Sequence, residues 1–109
     1  MEQPVVTGQK RSKFYFNKIE IYKDRMEAKS ILMPKKTIYL NEITSWTEVN
    51  KQHRKAANLK WTELIIYTSK TSYKIMSLHW KNYLQVKEAL VRNKHRDVEK
   101  EKKILASYW

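Results

Sequence analysis

The chain has 109 residues, 41% of them apolar and 12% aromatic, which is enough for the hydrophobic core of one domain. It has no cysteine, which excludes disulfides and thiolate chemistry, and no apolar run approaches the roughly 18 residues of a membrane span. Its net charge of +12 favours anionic partners such as nucleic acid, an acidic membrane or an acidic protein face, although charges spread along the whole chain also describe an ordinary solvated surface. The sequence start lacks the apolar centre of a signal peptide, so a cytoplasmic location is favoured, with the inner face of the membrane as a second place.

Composition and pattern divide the chain into three parts. Residues 1–12 contain the single glycine and one of the two prolines and show no periodicity, which predicts a flexible N-terminal arm. Residues 13–93 carry the periodic elements and are predicted to form one domain. Residues 94–109 are rich in charge and are predicted to be a helical extension or a tail.

Two strands joined by a tight turn are predicted to open the domain. Residues 14–22 are rich in aromatic and β-branched side chains, which favour a long strand. A polar turn follows at residues 23–24. In residues 25–33, apolar side chains including Met26 and Leu32 alternate with polar ones, as in a half-buried strand.

Four further strands and one connection are predicted in the middle of the chain. The strands cover residues 37–40, 43–49, 61–68 and 72–76. The polar, basic stretch 51–58 is poor in strand-forming residues and is predicted to be a long connection.

Residues 77–91 are the one stretch of the domain with a helical apolar period. Ser77 is the predicted N-cap, because its hydroxyl can accept hydrogen bonds from the free amides of the first turn. The predicted helix plug consists of Trp80, Tyr83, Leu84 and Leu90. The whole pattern predicts a mainly β fold, a β-barrel or orthogonal β-sandwich capped by one long amphipathic C-terminal helix.

The order of these elements resembles the bacterial pleckstrin-homology-like (PH-like) domains over residues 14–91. The motifs that carry the resemblance are IEIY at 19–22, IYLNEI at 38–43, LIIY at 64–67, SYKI at 72–75 and the Trp80-bearing final helix. The resemblance implies a seven-stranded, nearly orthogonal sandwich or barrel that serves as a binding or assembly module without enzymatic activity.

The resemblance also implies a second basic patch. Lipid-binding members of the wider superfamily use basic residues of the first two strands and the loop between them. Lys18, Lys23 and Arg25 occupy comparable places here, although the turn at residues 23–24 is too short to wrap an inositol phosphate.

The residue patterns of catalytic and metal sites are absent from the sequence. His53, His79 and His95 lie in different segments, without the close spacing that metal ligands have. A single glycine cannot build a glycine-rich phosphate loop, and neither a carboxylate pair nor a nucleophile with its base is evident. We therefore expect no enzymatic activity, no cofactor and no metal.

The best candidate for anion binding is the basic connection together with the start of the next strand. This predicted anion patch consists of Lys51, His53, Arg54, Lys55, Lys60 and Trp61. Cations beside an aromatic ring can hold phosphate while the ring stacks on a base or lies at a lipid interface. The alternative is an ordinary charged surface loop.

Apolar residues of the tail keep the phase of the preceding helix. Leu84, Val91, Val98 and Leu105 recur every seven residues, which predicts one helix of about 30 residues, roughly 45 Å long. The predicted assembly face consists of Val91, Val98, Leu105, Tyr108 and Trp109. A frayed, solvated tail is the alternative.

Two functions follow from these patterns. The first is a PH-like module that binds a protein partner or self-associates through its C-terminal helix. The second is a basic module that binds nucleic acid or an acidic membrane through the predicted anion patch.

Overall fold

The computed structural model describes residues 2–53, 55–56 and 58–108. Its strands are β1 (Val6–Thr7), β2 (Lys18–Ile21), β3 (Arg25–Lys29), β4 (Lys36–Tyr39), β5 (Ser45–Gln52), β6 (Lys60–Tyr67), β7 (Ser72–Met76) and β8 (His95–Arg96). The helices are α1 (Tyr83–Val91) and α2 (Val98–Tyr108), and short 3-10 turns span Leu40–Glu42 and Ser77–His79. The fold is mainly β with a C-terminal helix, as predicted, but it contains two α-helices instead of one.

The strands form two four-stranded sheets. The first sheet has the order β1-β2-β3-β4 and is antiparallel throughout. The second has the order β7-β6-β5-β8, in which β8 alone runs parallel to its neighbour. Between the described strands, no pairing joins the two sheets, so the backbone does not close the barrel that the sequence analysis offered as one form of the fold.

Alternate side chains of both sheets meet α1 in one hydrophobic core. In β2 and β3 every second residue is buried, which is the two-residue period of a half-buried strand. The most deeply buried members are Ile19, Ile21, Met26, Ile38, Leu64, Ile66, Ile75, Trp80, Val86 and Leu90. The core therefore lies between the sheets and beneath α1.

The N-terminal segment is paired with the domain, which differs from the predicted flexible arm. Val6 pairs with Ile21 in β2, and the Gly8 amide donates to the Ile19 carbonyl at 2.9 Å. Lys10 forms an isolated bridge with Trp80. The segment is held because its only glycine lets the backbone pass close to the Trp80 ring.

The first two predicted strands are shorter in the structure. β2 begins at Lys18 and β3 ends at Lys29, so the outer parts of both predicted strands are loops. Leu32, which was expected to alternate into the core, is 88% exposed. Pro34 lacks an amide donor for a ladder, which is consistent with the chain leaving the sheet here. Conversely, β5 extends through Gln52, because Lys51 and Gln52 pair with β6.

The prediction of one continuous C-terminal helix is wrong. α1 ends at Val91, and Asn93 has a left-handed φ of 61° that turns the chain back towards the second sheet. β8 then pairs with the start of β5 before α2 begins. Ser77 does not cap α1 either, because its hydroxyl accepts the Thr62 amide at 2.9 Å and α1 begins only at Tyr83.

Candidate functional site

Two loops leave the same end of the first sheet. Lys18 pairs with Lys29, and Ala28 pairs with Lys36, so the start of β2, the end of β3 and the start of β4 lie side by side. The loop that precedes β2 and the β3–β4 loop must therefore be neighbours. A surface groove of about 320 Å³, lined among others by Asn17 and Met33, joins them.

Large apolar side chains project from these loops into solvent. Each of them is between 58% and 88% exposed. They are Phe14, Phe16, Ile31, Leu32 and Met33, and we call them the apolar tip. Single exposed apolar residues are ordinary on protein surfaces, but five on adjacent loops form the kind of patch that marks an interaction site.

Five lysines, which we call the tip lysines, lie on the same loops and strand ends. They are Lys13, Lys18, Lys29, Lys35 and Lys36. Two carboxylates offset them weakly, since Glu20 lies 3.5 Å from the Lys29 ammonium and Glu27 lies 3.6 Å from that of Lys35. The end of the sheet therefore combines apolar side chains with excess positive charge.

Tyr15 fixes the base of the first loop. Its ring stacks on His79 at a centroid distance of 4.1 Å and meets the edge of Trp80 at 5.4 Å, while Asn17 Nδ2 donates to its hydroxyl. Burial lowers the pKa of His79, which favours the neutral ring in this stack. Because Tyr15 turns inward against the core, its neighbours Phe14 and Phe16 are left pointing outward.

The structure brings part of the predicted anion patch together. Lys51, Lys60 and Trp61 line one open groove of about 550 Å³ at the β5–β6 end. The charge of Lys51 is already paired, because its ammonium lies 3.0 Å from Glu63 Oε1. His53 Nδ1 accepts the amides of Lys55 and Ala56 and thereby shapes the following turn, in which the Lys55 side chain is exposed. Arg54 lies outside the described residues.

Glu63 offsets part of the positive charge beside this groove. Burial raises the pKa of this carboxyl, but the hydrogen bond from Trp61 Nε1 and the ammoniums of Lys51 and Lys74 outweigh it, and the pKa lies below its ordinary value. Trp61 and Lys51 thus serve a buried carboxylate, which leaves less positive charge for an external anion.

The second basic patch is divided. Lys18 begins β2 and lies at the apolar tip, whereas Lys23 and Arg25 lie at the opposite end of the same hairpin. Arg25 is also neutralised, because its guanidinium contacts Glu2, Asp24 and Glu27 at 2.8–3.0 Å. These three residues therefore do not form one anion site.

Three members of the predicted helix plug are buried, and one is not. Trp80 is 1% exposed, although it precedes α1, and Tyr83 and Leu90 are also in the core. Leu84 is 70% exposed on the outer face of α1. Its prediction as a plug residue is wrong, because the buried face of α1 is formed by Tyr83, Val86, Leu90 and Val91 and leaves Leu84 in solvent.

The predicted assembly face is divided between the core, the surface and an internal contact. Val91 is buried in the core, Leu105 is half-buried, and Val98 is exposed. The Tyr108 hydroxyl donates to the Gln52 carbonyl, and Lys51 lies over the Tyr108 ring. Trp109 lies outside the described residues.

These contacts place α2 along the free edge of β5. Glu101 is the main polar anchor: its Oε2 accepts the Glu48 amide at 2.8 Å and pairs with Arg96 at 2.8 Å. An exposed strand edge invites pairing with another chain, and a covering helix prevents it. In the structure, therefore, α2 covers the edge of its own sheet.

In the described part of the chain, no helix has the length and apolar character needed to cross a membrane, and no group of three or more His, Asp or Glu side chains is arranged to hold a metal ion. Searches against protein-family models, curated proteins and solved structures find no match to this chain. The site must therefore be interpreted from its own chemistry.

Proposed function

We propose that this protein is a non-catalytic module that binds an anionic membrane surface, with the apolar tip inserted among the lipids and the tip lysines at the headgroups. The observation that carries the proposal is the exposure of Ile31, Leu32 and Met33 at the end of a loop flanked by Lys29 and Lys35. Anionic lipid lies on the cytoplasmic leaflet, so the proposed place of action is the inner face of the membrane.

Two energetic contributions support the proposal: the burial of apolar side chains among the lipids and the attraction between lysines and anionic headgroups. Full burial of a Leu, Ile, Met or Phe side chain contributes about 1.5–3 kcal/mol, so partial insertion of several provides useful affinity. A lysine near an anionic surface adds about 1 kcal/mol. Neither contribution anchors a protein strongly by itself, but together they give reversible peripheral binding.

A membrane fits the tip better than the predicted anion patch fits a nucleic acid. The tip consists of projecting loops, whereas nucleic-acid binders stack bases on aromatic rings in a basic groove. The groove at Lys51 and Trp61 has its aromatic N–H and one ammonium committed to Glu63. The Lys51–Trp61 patch remains the second candidate surface, and the experiment below separates the two.

The assignment to the PH-like fold remains part of the proposal. It is supported by a four-stranded antiparallel sheet, followed by three antiparallel strands and a helix packed over the core. The resemblance to these modules implies a role in binding or assembly without catalytic activity.

The experiment is co-sedimentation with phosphatidylcholine vesicles that contain or lack phosphatidylserine. We expect binding only with phosphatidylserine, a strong loss in Leu32→Ser, and no loss in Leu59→Ser. Leu59 is the matched control because it is also exposed but lies in the β5–β6 connection. The β6–β7 turn, at the other end of β6, is the one that contacts the tip lysine Lys36.

A charge comparison completes the experiment. Lys18→Glu with Lys35→Glu should abolish binding, and Lys55→Glu with Lys60→Glu should reduce it only slightly through the lower net charge. The reverse ranking would transfer the function to the predicted anion patch. Equal binding by the wild-type protein and Leu32→Ser would show that the apolar tip does not insert. No binding of the wild-type protein to either kind of vesicle would overturn the membrane proposal and leave the tip as a surface for a protein partner.

A further inference from the structure

Residues 92–97 join the two helices. We propose that α2 exchanges between two copies of this chain, which makes a domain-swapped dimer in which each α2 covers the β5 edge of its partner. This inference goes beyond membrane binding and does not depend on it.

The first observation is that the helical pattern runs through the break. Leu84, Val91, Val98 and Leu105 keep a seven-residue spacing, although the chain turns between the second and third of them. Residues 92–97 contain neither proline nor glycine, the two residues that oppose helix most strongly. The sequence is therefore compatible with a continuous helix from α1 into α2.

The second observation is that one residue carries the turn. Asn93 has φ 61°, and it is the only non-glycine residue in the described chain with a positive φ. Asn tolerates this left-handed conformation better than most residues but pays a cost for it. A continuous helix would relieve that cost, so the hinge has two competing conformations.

The third observation is the character of the contact that holds α2. Its one buried residue in the described range is the charged Glu101, which binds the Glu48 amide and Arg96. Lys100 lies over the Tyr67 ring, and Tyr108 reaches the Gln52 carbonyl. The apolar Ile104 and Leu105 are half-buried, so opening this mainly polar contact exposes little further apolar surface.

After α2 has opened, the edge of β5 can be covered by the α2 of a second copy. The edge of β5 already fits α2, so the α2 of a second copy can make the same contacts from another chain. The exchange gives up the short pairing of β8 with β5 and the hydrogen bond from the Asp97 amide to the Trp46 carbonyl. It also gives up the hinge hydrogen bonds that join Lys94 to Trp46 and Leu40, and Arg96 to the Glu48 carbonyl. It gains helical hydrogen bonds over residues 92–97 in each copy.

Side-chain charges keep the closed monomer competitive. A continuous helix would put Arg92 beside Arg96, at the four-residue spacing where like charges repel. It would also end the hydrogen bond from the Lys100 amide to Asp97 Oδ1, which caps the start of α2 in the closed form. The closed form instead pairs Arg96 with Glu101 at 2.8 Å. The dimer should therefore form at high protein concentration and not at low concentration.

Matched hinge variants test the proposal. Asn93→Ala favours helix and disfavours the left-handed turn, so it should lower the dimer dissociation constant by about tenfold. Asn93→Gly has the opposite preferences and should raise the constant by a similar factor. Sedimentation velocity over a concentration series measures both, with circular dichroism as the check on folding.

Interchain crosslinking identifies the dimer. The chain has no cysteine, so Lys51→Cys and Lys103→Cys can be made in separate copies, which are mixed, incubated at high concentration and treated with a short bismaleimide. These two residues line one depression between β5 and α2. A crosslinked heterodimer supports the exchange. Wild-type protein and Asn93→Ala that are both monomeric at all concentrations, or a dimer without this crosslink, would overturn it.

Discussion

Gly8 lies against the indole ring of Trp80 so closely that a Cβ atom at Gly8 would come within 2.6 Å of Trp80 Cζ3. The glycine is not in a left-handed conformation, so it is required for space. This contact explains why a segment without periodicity is attached to the domain. The single glycine of the chain lets β1 and the following residues pass over the largest buried side chain.

The contact predicts the result of a double-mutant cycle. Gly8→Ala should cost about 1–3 kcal/mol of unfolding free energy through overpacking. Trp80→Ala should cost about 3–5 kcal/mol through the cavity it leaves. In the double variant, the added methyl group no longer meets the ring, so the total should be clearly smaller than the sum. Urea denaturation measures all three, and strictly additive costs would contradict the contact.

Glu63 predicts a loss of stability in acid. Its folded-state pKa lies below the ordinary value of 4.5, because the hydrogen bond from Trp61 and the ammoniums of Lys51 and Lys74 outweigh the cost of burial. As the pH falls, Glu63 therefore binds a proton in the unfolded chain before it does so in the folded protein. The stabilisation is complete above about pH 4.5 and is lost as the pH falls through the folded-state pKa.

Glu63→Gln should be less stable than wild type at neutral pH, and the difference should shrink as the solution is acidified. Thermal unfolding from pH 7 to pH 3 measures this difference. Glu42→Gln is the matched control, because that carboxylate is exposed. A Glu63→Gln penalty that stays constant over this pH range would argue against the charged pair.

Tyr83 anchors α1 to the second sheet through a charged hydrogen bond. Its hydroxyl donates to Glu48 Oε2 at 2.7 Å, and Lys87 binds the other oxygen at 2.9 Å. Burial, followed by this carboxylate, raises the pKa of Tyr83 well above its ordinary value. Tyr83→Phe should cost about 1.5–3 kcal/mol of unfolding free energy, as for other hydrogen bonds to charged groups.

The ultraviolet absorbance of tyrosinate gives a second measurement of the contact between Tyr83 and Glu48. In the folded protein, Tyr83 should not ionise as the pH rises towards 11, so the tyrosinate signal should fall short of that of the unfolded chain. For the unfolding measurement, Tyr39→Phe provides the comparison, because Tyr39 is half exposed. A loss of stability no larger in Tyr83→Phe than in Tyr39→Phe would remove the anchor role.

The sequence predicted those elements whose signals are local. Alternation in the strands and the turn at residues 23–24 identified the hairpin, and the order of strands and helix gave the mainly β class. The pairing of β1 with the domain has no such local signal, because it depends on the contact between Gly8 and Trp80, which are 72 positions apart in the chain.

The candidate site was missed for a related reason. Phe14 and Phe16 have strong strand propensity, and Leu32 fits an alternating pattern, so all three are predicted in strands. Their exposure depends on where strand pairing ends. One available signal was the position of Ile31–Met33 between Ser30 and Pro34, with lysines on both sides, which is typical of a loop. The pairing of Lys51 with Glu63 gave no local signal, because these residues lie on different strands.

The apolar tip predicts a direct signature of membrane insertion. Because the chain has no cysteine, Leu32→Cys provides one labelling site for an environment-sensitive fluorophore. On phosphatidylserine vesicles, the emission should shift to shorter wavelength as the label leaves water. The matched label at Leu59→Cys should not shift, because that exposed residue lies in the β5–β6 connection.

Added salt separates the electrostatic contribution of the tip lysines from the insertion of the apolar tip in this same fluorescence measurement. Attraction between the tip lysines and the lipid headgroups is screened over about 8 Å at physiological ionic strength, so added salt should reduce the bound fraction. The emission wavelength of the molecules that remain bound should not change, because insertion of apolar side chains is not an electrostatic effect. If the protein labelled at position 32 binds vesicles but its emission does not shift, the lysines hold the protein at the surface and the apolar tip stays in water.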